Sequence, residues 1–418
     1  MDKQLALLGG APVVPKGLAR RWPVLDERDR AAVSRVIEWG VLCGAGAPEL
    51  TALEREFAAY VGARFCLATN SGTAALHLAL AAAGVGPGDE VIVPALSFVA
   101  TAQAVFHQNA VPVFVDIDPR TFTVDPAKIE ERITPRTRAI VPVHLHGLPA
   151  DMAEILALAS RHGLAVIEDA AQAHGAEYRG RKVGTLGELG AFSLNATKNL
   201  PAGEGGLLVT NSQTYRDRAA LARSHGLDSD PTGSWNPESP LDSSHHALAR
   251  TVGWMYLPTE MSAALARSGL ARLDQVNGCG QANARALSDR LATLPGLRPP
   301  VIPSDRTHVF HKYRLRLHPE QLGLDLAPVA FRDLVLDALR AEGVEVVLWQ
   351  THALPAHPLF KHYYPADYPE TRRLLDSSLI IGSQSFPLFC QPPELIDYYA
   401  DAFDKVFAKI HDLVAARA

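Results

Sequence analysis

The chain has 418 residues, 47% of them apolar and 20% charged, and a formal net charge of -5. That length suits two or three domain-sized units, or one large domain with a smaller one, and the composition is that of a soluble globular protein with a sizeable core, which speaks against general disorder. The mild acidity gives no electrostatic reason to bind DNA, RNA or an anionic membrane surface.

In chain order, the first apolar stretch is Leu5 to Leu8, which ends at Gly9-Gly10. It lacks the length and basic start of a signal peptide, and no later run approaches the ~20 apolar residues that span a bilayer. The cytoplasm is the expected location. From residue 62 to 212, short β-rich runs alternate with alanine-rich or amphipathic stretches. Strands are expected at Phe65 to Thr69, Val91 to Pro94, Val111 to Asp116, Ile140 to His144, Leu164 to Asp169 and Gly206 to Thr210. Helices are expected at Thr73 to Ala83, Val99 to His107 and Asp151 to His162. This alternation implies βαβ units in a mostly parallel sheet covered on both faces, with ligands beyond the carboxyl ends of the strands.

Residues 226–250, rich in Ser, Pro, Gly and Asp, read as a long surface loop, with a lid one role for it. A single long helix is then expected from Met261 to Val276, and a smaller unit from about residue 277. That unit contains the alternating run Tyr313-Arg314-Leu315-Arg316-Leu317, a helix at Pro328 to Glu342 and a closing helix at Tyr398 to Ala415. Cys43, Cys66, Cys279 and Cys390 form no C-x-x-C pair and read as reduced thiols. The sixteen histidines show no zinc spacing, so no metal site is expected.

Four features carry chemistry. Ser71-Gly72-Thr73 turns a strand into a helix, where the hydroxyls of Ser71 and Thr73 and the free N–H groups of the first turn suit a phosphate. A plain N-cap serine reads the same way. Asp169 closes a buried strand, and a carboxylate there needs a partner, whether a ring N–H, a helix cap or a metal. Lys198 lies between Ser193 and the Gly203–Gly206 stretch, either as a solvated surface lysine or as a desolvated amine of lowered pKa. Phe98, just after a strand, is a core residue or a flat face for a ring. A phosphate cradle, an anion for a pyridine nitrogen, a stacking face and an amine are together what pyridoxal 5'-phosphate (PLP) requires.

With these motifs in this order, the chain resembles the DegT/StrS sugar-aminotransferase family of fold-type I PLP enzymes. That group includes nucleotide-sugar aminotransferases, scyllo-inosose-type cyclitol aminotransferases and aminohydroxybenzoate synthases. The resemblance runs from Leu7-Gly9-Gly10 and Trp22-Pro23 through Leu53-Glu54-Phe57-Gly62, Ser71 to Leu76 and Pro112 to Asp116. It is tightest over Glu168 to Gly175 and Ser193 to Lys198. It implies an α/β fold: a large, mostly parallel-sheet PLP domain over 1–276 and a small C-terminal α+β domain over 277–418. It implies Lys198 as the Schiff-base lysine and proton shuttle, Asp169 at the pyridine nitrogen and Gln172 on the ring's hydroxyl side. Ser71, Gly72, Thr73 and Ser193 would hold the phosphate, Phe98 would stack on the ring, and His311 and Tyr313 would lie near the substrate.

The implied activity moves an amino group from glutamate or glutamine to a ketone on a sugar or cyclitol, in secondary metabolism such as antibiotic biosynthesis, by a homodimer. Two relatives of the same fold mark the alternatives, a PLP-dependent sugar dehydratase and a non-catalytic regulatory paralogue. The dehydratases carry histidine where Lys198 stands, and the intact set Asp169, Gln172, Ser193 and Lys198 speaks against a mere scaffold. The chain departs from the family at Gly253-Trp254-Met255-Tyr256-Leu257, where the usual pattern is Gly-Tyr-Asn-x-Arg. Met255 cannot make the asparagine's bond to a neighbouring subunit's cofactor phosphate, and Leu257 leaves an anionic substrate without the usual arginine. The expected acceptor is therefore not a standard nucleotide sugar.

Overall fold

The computed structural model describes residues 4–227, 248–360 and 367–416. Most of the loop expected at 226–250 lies outside the described residues.

The strands of the first half, in chain order, are β1 (Phe65–Thr69), β2 (Glu90–Pro94), β3 (Val111–Val115), β4 (Thr137–Ile140) and β5 (Ala165–Asp169). A small hairpin follows, β6 (Glu177–Tyr178) and β7 (Arg181–Lys182), then β8 (Leu189–Ser193) and β9 (Gly206–Thr210). Seven of them form one sheet in the order β1-β9-β8-β5-β4-β2-β3. All run in one direction except β9, which is antiparallel to both β8 and β1. The apolar runs Val91-Ile92-Val93 and Leu207-Leu208-Val209 are fully buried, as a sheet covered on both faces requires. The helix Gly72–Ala82 packs on one face, and its Leu76, Leu78 and Leu80 are buried.

A second sheet of four antiparallel strands has the order β10-β11-β13-β12, with β10 at Leu297–Arg298, β11 at Tyr313–Leu317, β12 at Val346–Val347 and β13 at Ser378–Ile381. Tyr313, Leu315 and Leu317 share one face of β11 and enter a core with Phe331, Tyr399 and Phe403. Strand periodicity puts Lys312 and Arg314 on the opposite side. Leu5 and Val14, from the N-terminal segment, belong to this same core.

Three expected elements differ. The strand placed at Ile140 to His144 is β4, ending at Ile140, because Pro142 has no N–H to donate to a ladder. Sheet-like contact continues beyond it only through Val141 N–H to Ile92 O (2.8 Å) and a bridge from Val143 to Asp169. The single helix expected from Met261 to Val276 is two helices, Glu260–Leu270 and Leu273–Leu291. The chain leaves helical geometry at Arg272, whose guanidinium donates to both carboxylate oxygens of Asp29 at 2.9 Å. The closing helix starts earlier, at Pro393, a favourable first-turn proline, and breaks at Lys409 into Pro393–Ala408 and Ile410–Ala415. No helix among the described residues is long and apolar enough to cross a membrane.

Candidate active site

The carboxyl ends of β1, β5 and β8 open onto a cavity of about 480 Å³. Nine of the residues singled out in the sequence line it: Ser71, Gly72, Thr73, Phe98, Asp169, Gln172, Ser193, Lys198 and His311.

One side of the cavity is the start of the helix Gly72–Ala82. Ser71 is its N-cap, and the Ser71 Oγ accepts from Ala74 N–H at 3.1 Å, which leaves other first-turn N–H groups free. Backbone segments crowd here. A Cβ on Gly72 would lie 2.7 Å from Ser193 Cβ, and one on Gly206 would lie 2.3 Å from Ser71 O. Gly72 thus brings the helix start against Ser193, whose Oγ accepts from Asn195 N–H at 3.3 Å. Gly72→Ala is expected to cost about 1–3 kcal/mol through this overlap. Thermal unfolding should show a lower midpoint, and titration with inorganic phosphate should show weaker binding.

Successive residues at the end of β5 point to opposite faces. Glu168, fully buried, is satisfied away from the cavity: it accepts from the N–H groups of Gly184 (2.7 Å), Leu186 (2.7 Å) and Gly187 (2.8 Å), and meets His144 Nε2 at 2.9 Å. Asp169 faces the cavity with fewer partners, Thr101 Oγ1–H at 2.8 Å and Ala171 N–H at 3.2 Å. Thr101 is itself held by Ser97 Oγ at 2.7 Å. No ion pair reaches Asp169 among the described residues. Burial raises its pKa above the ordinary carboxylate value, outweighing Thr101, Ala171, Lys198 and His144, which lower it. The carboxylate therefore retains capacity for a further N–H donor.

Lys198 sits in the turn after β8. Its N–H donates to Asn195 O at 2.9 Å, and its carbonyl accepts from Trp22 Nε1–H at 3.1 Å, so the backbone is fixed and the half-buried side chain reaches the cavity. Burial lowers its pKa to about 8, against the opposing pull of Asp169 and Glu204. A sizeable fraction of the amine is then neutral near pH 7 to 8.

Gln172 is oriented by accepting His146 N–H through Oε1 at 2.9 Å. His311 is buried, with Nδ1 3.3 Å from Asn199 Oδ1, and burial holds its pKa well below the ordinary imidazole value. Phe98 lies at the rim, 54% exposed. Tyr313 is not in the cavity. It lies in the core of the small sheet, and its hydroxyl meets Ser288 Oγ at 2.8 Å. Its parity along β11 explains this: it shares a face with Leu315 and Leu317.

Sequence reasoning missed Thr101, Asn195, Thr197, Glu204, Lys312, Trp349 and Gln384, which also line the cavity. The alternation of the 313–317 run was a usable signal for Lys312. Among the described residues, no group of three or more His, Cys, Asp or Glu side chains is placed to hold a metal.

The DegT/DnrJ/EryC1/StrS aminotransferase family model matches residues 23–385. This chain belongs to that family. Its relatives include the spore coat polysaccharide biosynthesis protein SpsC of Bacillus subtilis, 36% identical over 94% of this chain and 96% of SpsC. The L-glutamine:2-deoxy-scyllo-inosose aminotransferase of Streptoalloteichus tenebrarius is 40% identical over 82% of this chain and 80% of its own length. The solved structure of an aminotransferase from Psychrobacter cryohalolentis superposes with a TM-score of 0.83 at 31% identity, over 94% of this chain and all of that one (100%). The fold expected from sequence, a large mostly parallel sheet with a smaller α+β unit, is the fold of these aminotransferases, and the chain is an aminotransferase. Of its departures from the DegT/StrS pattern, Met255 and Leu257 are not among the residues that line the cavity. Met255 is half exposed, with its carbonyl 3.4 Å from Asn70 Nδ2, and Leu257 packs against the core that contains Phe57 and Phe192.

Proposed function

We propose that this aminotransferase uses PLP to move an amino group from glutamate or glutamine to a ring ketone on a sugar or cyclitol. The observation that carries this reading is the meeting of Lys198 and the incompletely paired Asp169 in one cavity. The cavity's residues fit the cofactor. Ser71, Gly72, Thr73 and Ser193 would receive the phosphate, Asp169 would accept from the pyridine nitrogen, and Gln172 and Phe98 would border the ring. When bound, PLP supplies an aldehyde that takes up the amino group and a ring that withdraws electrons from the carbon losing its proton.

The remaining steps belong to the chain. Asp169, short of partners, keeps a proton on the group opposite it. Lys198, partly neutral near pH 7 to 8, takes the α-proton from the donor's Cα as general base. In the second half of the cycle its ammonium returns a proton to the acceptor's former carbonyl carbon. The donor and acceptor classes are supported by the name of the Streptoalloteichus relative, which acts on L-glutamine and 2-deoxy-scyllo-inosose. The same reading puts the enzyme in cytoplasmic secondary metabolism, as a homodimer. It divides each chain near residue 276 into a PLP-binding unit and a small unit.

Leu257 leaves an anionic substrate without the arginine usual at that position, so the acceptor of this reading is a free ring ketone. With glutamine as donor, a free keto-cyclitol should turn over with a kcat/KM about tenfold or more above that of a nucleotide-linked keto-sugar, since a charged hydrogen bond to phosphate is missing. Faster turnover of the nucleotide sugar would contradict this.

A further inference from the structure

Beside the cavity, two buried cations stand without counter-ions among the described residues. Lys312 is 7% exposed, and Arg314 2%. The Arg314 guanidinium donates only to neutral acceptors: His146 Nε2 (3.0 Å), Ser378 Oγ (2.6 Å) and Trp349 O (2.8 Å). The Lys312 side chain lines the cavity, and its ammonium has no hydrogen bond or ion pair among the described residues. Among the described residues, neither cation has an acid offsetting it. The charges that act on Lys312 are Lys198 and Arg314, both positive, and burial and these two lower its pKa to about 8. Two like charges out of water are costly unless a partner of opposite sign arrives. Among the described residues, the only carboxylates lining the cavity are Asp169 and Glu204, and Glu204 is exposed and engaged with Asn195 Nδ2 at 2.8 Å.

We propose that Lys312 is the seat of the amino donor's carboxylate, with Arg314 as a positioning residue behind it. The proposal rests on the aminotransferase reading of the cavity. An amino-acid donor always brings a carboxylate, whereas a keto-sugar or keto-cyclitol ring is neutral. Arg314 holds two parts of the wall, the Trp349 carbonyl and the His146 ring, and the His146 and Trp349 rings lie 4.9 Å apart. Its charge adds to the attraction for an anion at Lys312. Arg314 on β11 and Lys312 just ahead of it thus place two positive charges beside the cavity.

The test uses the holoenzyme and two unreactive probes titrated by calorimetry, glutarate and its neutral analogue glutaramide. The wild-type protein should prefer glutarate by about tenfold or more, as one charge-assisted contact provides. Lys312→Met should erase the preference, and Lys312→Arg should retain it. The absorbance of bound cofactor, recorded in the same samples, reports on folding and on Lys198 separately: its absence from the wild-type protein would strike the PLP reading, not this one. A second probe pair, 3-oxocyclohexanecarboxylate and its carboxamide, represents an acidic acceptor. An undiminished glutarate preference in Lys312→Met overturns the proposal. So does a loss confined to the ring-ketone pair, which would give the carboxylate to the acceptor instead.

Discussion

Lys198→Ala is expected to remove the visible absorbance that PLP gains on covalent attachment and to lower turnover by about 1000-fold or more, the scale of losing a positioned acid–base group. The loop should survive the truncation, because the bonds that hold it are backbone ones, Lys198 N–H to Asn195 O and Lys198 O to Trp22 Nε1. Lys198→Arg should be equally inactive, since a guanidinium does not deprotonate near neutral pH. The lowered pKa gives the reaction a pH profile. With the amine titrating at about 8, the rate at which the apoprotein takes up PLP should rise about tenfold per pH unit below that value and level off above it. An ordinary solvated lysine would go on accelerating to about pH 10.4. Stopped-flow absorbance at a series of pH values distinguishes the two.

Asp169→Asn should lower kcat by about 10²- to 10³-fold while leaving the protein folded, as expected when one preorganised charge is removed from a water-excluded site. An asparagine is the same size, and its Oδ1 can still accept from Thr101 or Ala171, so the local structure has little reason to change. What disappears is the negative charge facing the cavity. Burial raises the Asp169 pKa in the apoprotein, so the same charge is lost there when pH falls, and equilibrium binding of PLP to the apoprotein should weaken on the acid side above the ordinary carboxylate range. Steady-state kinetics of the variant, PLP titration of the wild-type apoprotein across pH, and circular dichroism as the fold check measure these effects. A variant with wild-type kcat would remove Asp169 from the mechanism.

Much of the large sheet was legible because its strands are short, apolar and separated by helices. β1 and β9 have the expected ends, Phe65 to Thr69 and Gly206 to Thr210. The direction of β9 was not legible, since the segment joining it to β8 carries the Lys198 turn and no helix to enforce a parallel crossover. The break at Arg272 depends on Asp29, far away in the chain, and no local periodicity reveals such a partner. The tie from Thr101 to Asp169 was hidden for the same reason. Tyr313 was misplaced because its neighbour His311 does line the cavity. The alternation of its own strand gives the opposite face, and following that alternation leads to Lys312 and Arg314.

The proposed chemistry requires Lys198 to be the side chain that PLP modifies. PLP incubated with the purified protein, then fixed by borohydride reduction, should leave a pyridoxyl group on the peptide containing Lys198, located by mass spectrometry. A label on Lys312, the other lysine lining the cavity, or no label at all, would contradict it.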